Sequence, residues 1–165
     1  MVDVVDVKTR SLMMSGIRSS NTRPEKAVRA ALHRRGMRFA RSTLGLPGKP
    51  DVVLPRWRVA VFVNGCFWHL HDCRLSKSPS ARTEFWSVKL LANQERDGRN
   101  IQALLGANWR VLTVWECAMR GLNAIRQFDF VMDSVGQWIR EQPQVAWCDV
   151  SSSGLVYREK INESN

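Results

Sequence analysis

The chain has 165 residues, of which 44% are apolar and 24% charged, and this composition is that of one ordinary globular domain. The charge balance is unusual, because 25 Lys and Arg residues against 15 Asp and Glu residues give a net charge of +10. Such an excess predicts a polyanionic partner, most often nucleic acid, although charge alone also allows a basic protein with no such partner.

Composition also argues against two classes of protein. No segment approaches the ~18 consecutive apolar residues that a membrane span requires. The N-terminal sequence MVDVVDVKTR lacks the pattern of a secretory signal peptide. We therefore expect a cytoplasmic protein with no membrane partner, in which the four cysteines remain reduced. Reduced cysteines are then available for metal binding, catalysis or burial.

The first part of the chain predicts two helices and then extended segments. A short helix is predicted over residues 8–16. The pattern Thr22-x-x-Glu25 is a capping box with a proline in the first turn, and it predicts a second helix that ends at Gly36. Extended segments are predicted after this helix: residues 37–40, 51–54 and 57–63.

The second part of the chain begins with residues 65–80, which are dense in Cys, His and aromatic side chains and predict an irregular loop. Regular elements are predicted after it: a helix capped by Thr83 that runs to about Gly106, a strand over 109–115 and a helix over 122–140. Residues 142–165 are polar with serine runs and predict a mobile tail. We thus expect one α/β domain over residues 1–141, followed by that tail.

A metal site is the strongest local signal in the loop. Cys66, His71 and Cys73 lie within eight residues, and Cys117 ends a later predicted strand. Three thiols and one imidazole are a common ligand set of structural zinc, whose binding would supply folding free energy that an irregular loop cannot obtain from packing. The alternative is that Cys117 is a small buried apolar residue and the others are incidental. Cys148 is interpreted in that second way.

A second pattern indicates phosphodiester hydrolysis. Asp51 begins a valine-rich strand directly after a proline, where PD-(D/E)xK nucleases place a carboxylate that binds Mg²⁺, although Pro-Asp is also a common turn dipeptide. That scheme needs an acid and, two residues later, a lysine on the next strand, but residues 63–65 are Val-Asn-Gly. His69 is available as a general base if His71 binds zinc; the alternative is a histidine that only hydrogen-bonds within the loop.

Five motifs follow one another along residues 9–121: GKPD at 48–51, VFVNGCFWHLHDC at 61–73, RTEFW at 82–86, NQERD at 93–97 and WRVLTVWECAMRG at 109–121. Together they resemble the Vsr endonucleases of very short patch repair. The resemblance implies a variant of the PD-(D/E)xK restriction-endonuclease fold, in which helices flank a mixed central β-sheet and a structural zinc site is present. In this variant the acid-x-Lys element is lost and histidines serve instead.

The resemblance also implies roles for individual residues. Asp51 and the main-chain carbonyl of Val63 would bind Mg²⁺, His69 would activate or orient the attacking water, and Glu25 would assist through ordered water. Glu25 also completes the capping box, and it could do both. The implied ligands of the structural Zn²⁺ are Cys66, His71, Cys73 and Cys117.

DNA contacts are implied by the aromatic residues. Phe67, Trp68 and Trp86 match the family's wedge, which enters the duplex beside a T:G mismatch from the major-groove side. A wobble pair stacks poorly, so unstacking next to it costs less than beside a Watson–Crick pair. The ordinary role of a single tryptophan is core packing, and we assign Trp109 and Trp115 to the core on that basis.

An N-terminal arm over residues 1–20 is expected to contact DNA as well. Met14 matches the family's helix that wedges from the minor-groove side, and Met13 or Leu12 would take that role in a different register. One departure concerns Asn64, where the family pattern has a histidine. Asparagine forms hydrogen bonds but cannot transfer a proton at neutral pH, so we expect activity that is retained through His69 but slower.

The implied function is nicking on the 5′ side of the mispaired T in T:G mismatches left by deamination of 5-methylcytosine. The expected setting is a monomer in the bacterial cytoplasm, associated with the nucleoid, with mismatch-repair and repair-polymerase proteins as partners. Two alternatives remain: a zinc-stabilised mismatch-binding module with impaired catalysis, and a nuclease of the same fold that acts on a different DNA site. A zinc deaminase is rejected because the His-x-Glu and Pro-Cys-x-x-Cys elements are absent.

Overall fold

A computed structural model describes residues 20–40, 45–77, 79–121, 124–142 and 144–158. The predicted helix over 8–16 and Met14, with its alternatives Met13 and Leu12, lie outside these residues. In the described ranges the structure has three α-helices, α1 (Arg23–Arg34), α2 (Thr83–Gly106) and α3 (Ala124–Glu141), and five strands, β1 (Val52–Leu54), β2 (Val59–Asn64), β3 (Arg110–Trp115), β4 (Trp147–Ser151) and β5 (Gly154–Arg158). None of the helices within the described ranges is long and apolar enough to cross a membrane.

The five strands form one mixed sheet in the order β1-β2-β3-β4-β5. The outer pairs, β1–β2 and β4–β5, are antiparallel, whereas β2–β3 and β3–β4 are parallel. Parallel neighbours need a crossover connection, and α2 and α3 supply the two that are required here. The mixed central sheet flanked by helices that the sequence predicted is therefore confirmed.

The two faces of the sheet are covered by different helices. Successive residues of β2 point to opposite faces, so that Val61 packs in the main core cluster and Ala60 in a smaller one. Leu32 of α1 and Trp138 of α3 belong to the main cluster, whereas Leu104 of α2 belongs to the smaller one. Because both faces are covered, β2 and β3 appear in the sequence as nearly continuous apolar runs.

Within the polar tail predicted over 142–165, residues 147–158 form the β4–β5 hairpin, so the prediction of a mobile tail is wrong for them. Cys148 points into the main core cluster, and Asp149 points to the other face. The alternation extends over only five residues and is followed by the serines of the turn, so it does not stand out from the polar composition. The hairpin shares one sheet with the domain expected over 1–141.

Two local expectations also need correction. The helix α2 has the predicted bounds, but Thr83 is its first residue and does not cap it; the N-cap is Arg82, with a φ of 55° and no side-chain cap. The predicted strand over 37–40 is extended chain that makes one isolated bridge, between Ala40 and Val53. A strand this short at the sheet edge has too few pairing positions to form a ladder.

Candidate active site and metal centre

A cleft of about 760 Å³ opens where β2 and β3 end, beside the N-terminus of α1. Asp51, Asn64 and His69 line it from the β1–β2 side, Glu25 from α1 and Asp97 from α2. Open sheets with parallel strands usually bind ligands beyond the carboxyl ends of those strands, because the connecting loops converge there. The structure therefore brings the four predicted catalytic side chains to the usual binding position of the fold.

Asp51 is half-buried at the floor of the cleft. One of its carboxylate oxygens accepts a hydrogen bond from the main-chain N–H of Val63, with an N–O distance of 2.7 Å. The pKa of Asp51 is raised from 3.8 to about 6, chiefly by burial; the Val63 hydrogen bond opposes the shift, and the nearby charge of Glu25 contributes to it. A carboxylate in this position gains from a bound cation, and an oxygen donor of this kind fits Mg²⁺.

His69 is held by a residue that the sequence analysis did not assign. Its Nδ1 atom forms a short hydrogen bond with the carboxylate of Asp97 on α2, and both side chains are about a quarter exposed, at 23% and 24%. A carboxylate on Nδ1 fixes the tautomer in which Nε2 is the acceptor. His69 is therefore poised to accept a proton in the cleft, as a general base requires.

Two further residues on the same face of α2, one turn before and one turn after Asp97, contact segments that border the cleft. The side-chain amide of Asn93 donates to the main-chain oxygen of Trp68 at 3.1 Å. Asn100 packs so closely on the loop before β1 that a side-chain carbon at Gly48 would lie 3.0 Å from it. The polar middle of the helix, NQERDGRN, was a signal of these contacts, because residues three or four apart share one face of a helix.

Glu25 forms the predicted capping box. Its carboxylate accepts hydrogen bonds from the main-chain N–H groups of Asn21 at 2.7 Å and Thr22 at 3.2 Å, and it pairs with Arg29 at 3.0 Å. The side chain is buried beside the cleft, and its charge reaches Asp51. The capping interpretation is confirmed, and assistance at the metal site through ordered water stays a prediction.

The predicted zinc ligands lie together on the other side of the same loop. One donor atom from each of them falls within 4.8 Å of all the others: Cys66, His71, Cys73 and Cys117. In tetrahedral zinc with Zn–S bonds of about 2.3 Å, ligand atoms are separated by roughly 3.5 to 4 Å, so the cluster fits the ion with only small adjustments.

The surroundings of the cluster also suit a bound cation. Main-chain N–H groups of Leu75, Cys117 and Ser152 donate to the sulfurs of Cys73, Cys66 and Cys117 respectively, each at 3.4 Å. Such donors stabilise thiolates and orient metal ligands. Burial raises the pKa of the Cys66 thiol, so in the absence of a cation the neutral thiol is favoured.

Trp115 contacts this cluster, and its assignment to the core needs correction. The indole is only partly buried and stacks on the imidazole of His71, with ring centroids 4.3 Å apart and an angle of 21° between the planes. The last residue of β3 faces the loop after β2, which the sequence could not show. Trp109 packs against the smaller core cluster as predicted.

The three predicted wedge residues form one cluster beside the cleft. Ring centroids of Phe67, Trp68 and Trp86 are 5.0 to 5.9 Å apart in edge-to-face pairs. Phe85, which the sequence analysis did not select, packs on Trp86 at 5.4 Å, and the ammonium of Lys89 lies 5.6 to 5.8 Å from three of the rings. Partly exposed aromatic surface with a cation above it suits stacking against nucleic-acid bases.

Asn64 ends β2 and lines the cleft next to an ion pair. Glu116 and Arg120, which follow β3, are joined by a contact of 2.6 Å between a carboxylate oxygen and a guanidinium nitrogen. Lys49 and Arg96 are the other cations that line the cleft. Cations at the margin of a cleft with an acidic floor are an arrangement expected for binding a phosphodiester.

Comparison with known proteins agrees with this geometry. A family model described as DNA mismatch endonuclease Vsr matches residues 2–75. The DNA mismatch endonuclease Vsr of Escherichia coli (strain K12) is 42% identical over 156 residues, which cover 94% of this chain and 99% of the relative. The Type II nicking enzyme V.XorIIP of Xanthomonas oryzae pv. oryzae is 46% identical over 125 residues, which cover 76% and 92%. The Type II nicking enzyme V.NmeAIP of Neisseria meningitidis is 36% identical over 127 residues, which cover 77% and 91%.

Proposed function

The chain belongs to the Vsr family of DNA mismatch endonucleases, and from that premise we propose that it nicks one strand at T:G mismatches, on the 5′ side of the mispaired T. The observation that carries the proposal is the cleft in which Asp51 faces the His69–Asp97 pair, next to the aromatic cluster. Chemistry and base recognition then occur on adjacent surfaces of one loop.

Asp51 and the main-chain oxygen of Val63 would hold Mg²⁺, which neutralises charge on the phosphate when bound. His69, oriented by Asp97, accepts a proton at Nε2 from the attacking water. The water oxygen bonds to phosphorus as the bond to the 3′ oxygen breaks, and that oxygen takes up a proton. The products are a 3′-hydroxyl on the nucleotide before the mispaired T and a 5′-phosphate on the mispaired T itself. Glu25 would assist through water at the metal.

Asn64 would orient a phosphate oxygen or a water by hydrogen bonding, without proton transfer. The proposed rate is therefore lower than that of an otherwise identical protein with histidine at this position. Asn64→His is the direct comparison. Restoring a second imidazole should raise the single-turnover nicking rate, and general acid–base groups of this kind contribute about 10²-fold or more.

Phe67, Trp68 and Trp86 would enter the duplex beside the mismatch, with Met14 approaching from the minor-groove side. The support for this step is the half-exposed aromatic cluster together with the net charge of +10, which favours a polyanion. Unstacking beside a wobble pair costs less than beside a Watson–Crick pair, and that difference supplies discrimination.

The remaining parts of the proposal rest on family membership and on the metal cluster. The ion of the metal cluster would be structural Zn²⁺, held by Cys66, His71, Cys73 and Cys117. The enzyme would work as a monomer in the bacterial cytoplasm at the nucleoid, and mismatch-repair and repair-polymerase proteins would be its partners. Residues 1–20 would form a DNA-contacting arm of the endonuclease domain.

A nicking assay on labelled duplexes with T:G or T:A at one position tests the proposal. Wild type should cut only the T strand, only at T:G and only with added Mg²⁺, and Asp51→Ala should not cut. Asp133→Ala is the matched control, because this carboxylate is 71% exposed on α3 and does not line the cleft.

Other outcomes of the same assay identify the rivals. Mismatch binding without cleavage by wild type would indicate a recognition module with impaired catalysis. Equal cleavage of T:G and T:A duplexes would indicate a nuclease of this family with a different DNA site.

A further inference from the structure

We propose that Lys49 is a further catalytic residue, whose ammonium contacts the scissile phosphate and supplies the cation that is missing from the second strand of this nuclease fold. The inference rests on the proposed function, because it takes the cleft around Asp51 as the place of cleavage. The PD-(D/E)xK scheme places an acid, followed two residues later by a lysine, on the strand after β1, and residues 63–65 of this chain carry neither.

Lys49 is placed where that cation is needed. It lines the same cleft as Asp51 and His69, and it precedes Asp51 by two residues on the loop before β1. Among the residues that the structure describes, three cationic side chains line this cleft. Arg96 lies 3.6 Å from Asp97 and Arg120 lies 2.6 Å from Glu116, whereas within the described part of the chain no carboxylate pairs with Lys49. Its charge is therefore available to a ligand.

The backbone at Lys49 holds a conformation that lysine disfavours. Its φ is +52°, directly after Gly48 with a φ of +74°, and a residue with a Cβ in this left-handed region is strained. The strain persists because α2 fixes the loop: Asn100 lies 3.0 Å from where a Cβ of Gly48 would be. Glycine would fit position 49 with less strain. Arg58, Leu70 and Arg82 hold the same conformation, so the positive φ supports a use for Lys49 only together with its place in the cleft.

The charges around the cleft point the same way. In the described part of the chain, four carboxylates line it: Glu25, Asp51, Asp97 and Glu116. A phosphodiester entering such a cleft is repelled unless cations balance these acids, and a lysine ammonium is a compact point charge that suits one phosphate oxygen. Residue 64 is asparagine here, whereas the family pattern has a histidine, so no imidazole at this position can carry a positive charge. Lys49 therefore has to balance more of the negative charge of the four carboxylates.

The test is Lys49→Gly, because the expected changes in stability and activity have opposite signs. The variant relieves the positive φ, so its melting temperature should be equal to or above that of wild type. Its single-turnover nicking of the T:G duplex should fall roughly 10²-fold, as when one charge-stabilising group is removed. Lys49→Arg should retain most of the activity. Arg99→Gln, which removes a cation that is 71% exposed and outside the cleft, should cut like wild type.

A duplex with one neutral methylphosphonate at the scissile position locates the contact. With Ca²⁺ in place of Mg²⁺, Lys49→Gly should bind the ordinary duplex roughly 10-fold more weakly than wild type and bind the methylphosphonate duplex equally well. The slope of log affinity against log salt concentration should fall by about 0.9 in this variant and stay unchanged in Arg99→Gln.

Wild-type nicking rates in Lys49→Gly, or equal losses of affinity on the two duplexes, would overturn the inference. A wild type that does not nick the T:G duplex would instead refute the proposed function. The salt slope on whichever duplex wild type binds would still decide whether Lys49 contacts phosphate.

Discussion

The metal cluster and the cleft lie at the ends of the same two strands, but the polar atoms of their side chains have different kinds of partner. In the metal cluster the four donor atoms face one another and main-chain N–H groups donate to the three sulfurs. In the cleft Asp51 and His69 line a cavity, with one Asp51 oxygen bound to the Val63 N–H and Nδ1 of His69 bound to Asp97. A closed ligand set stabilises a loop, whereas an open set is available to substrate. One loop thus uses its two sides for different purposes.

The largest expected effect comes from removing one ligand of the metal cluster. Cys66→Ser removes a ligand and a large fraction of the roughly 10 kcal/mol that structural zinc contributes to folding. The variant should lose bound zinc, measured by elemental mass spectrometry, together with nicking. Cys148→Ala is the control, because this buried thiol lies in the sheet core; it should lose about 1 kcal/mol and keep one zinc per chain. Full zinc occupancy in Cys66→Ser would contradict the assignment.

The next largest effect concerns the cleft, where a substitution should reduce activity without changing the stability of the fold. Asp97→Asn replaces the acceptor on Nδ1 of His69 with a group that can also donate, so the wrong tautomer becomes accessible and Nε2 loses its role as a base. Nicking should fall roughly 10² to 10⁴-fold, while zinc content and melting temperature stay close to those of wild type. Asp97→Glu should restore part of the rate and of its pH profile. Unchanged nicking in Asp97→Asn would remove the His69–Asp97 pair from the mechanism.

A smaller effect concerns the stability cost of an open carboxylate. Burial raises the pKa of Asp51 to about 6, with Glu25 adding to the shift and Arg29 and His69 opposing it. The folded state therefore favours the protonated acid, and stability is lost as pH rises from about 4 through 6, by roughly 2 kcal/mol. Urea titrations without added Mg²⁺ should show this loss in wild type and not in Asp51→Asn. Added Mg²⁺ at pH 7.5 should stabilise only wild type.

The smallest expected effect tests the contribution of the β4–β5 hairpin to the metal cluster. The main-chain N–H of Ser152 donates to the sulfur of Cys117 at 3.4 Å, and Ser152→Pro removes this donor. Zinc affinity, measured by competition with a chelator, should fall about 10-fold. Ser153→Pro removes a neighbouring N–H that donates to the Ser151 hydroxyl and should leave zinc affinity unchanged. Equal affinities in the two variants would show that the hairpin does not support the metal.

Sequence patterns predicted the features that depend on local order. The bounds of α2 follow from helical periodicity, and the four zinc-ligand candidates follow from residue types that lie mostly in one loop. The wedge role of Phe67, Trp68 and Trp86 is implied by the family resemblance and stays a prediction. Features created by contacts between residues far apart in the sequence were not predicted. Asp97 is one of many charged residues until the fold sets it against His69, 28 positions earlier. Trp115 looked like core because the loop that brings His71 over it has no periodic pattern.

The hairpin was missed for a related reason. Strand β4 has three apolar residues, of which only Cys148 and Val150 alternate with polar ones, and β5 contributes an edge that is largely exposed. β4 is defined by its pairing with β3 and β5 by its pairing with β4, and the sequence does not display these pairings. Lys49 shows a further limit, since the positive φ that makes its position informative is a property of the folded loop.

The helix α2 carries both Trp86 of the aromatic cluster and Asp97, which holds His69. These residues are eleven positions apart, so the helical rise separates them by about 16 Å along a rigid rod. In the proposed complex the helix fixes two points of the loop after β2, because Trp86 packs on Phe67 and Trp68 and Asp97 bonds to His69. The distance from the mismatch to the cut bond would then be set by this rigid pairing of helix and loop rather than by reading the bases between them.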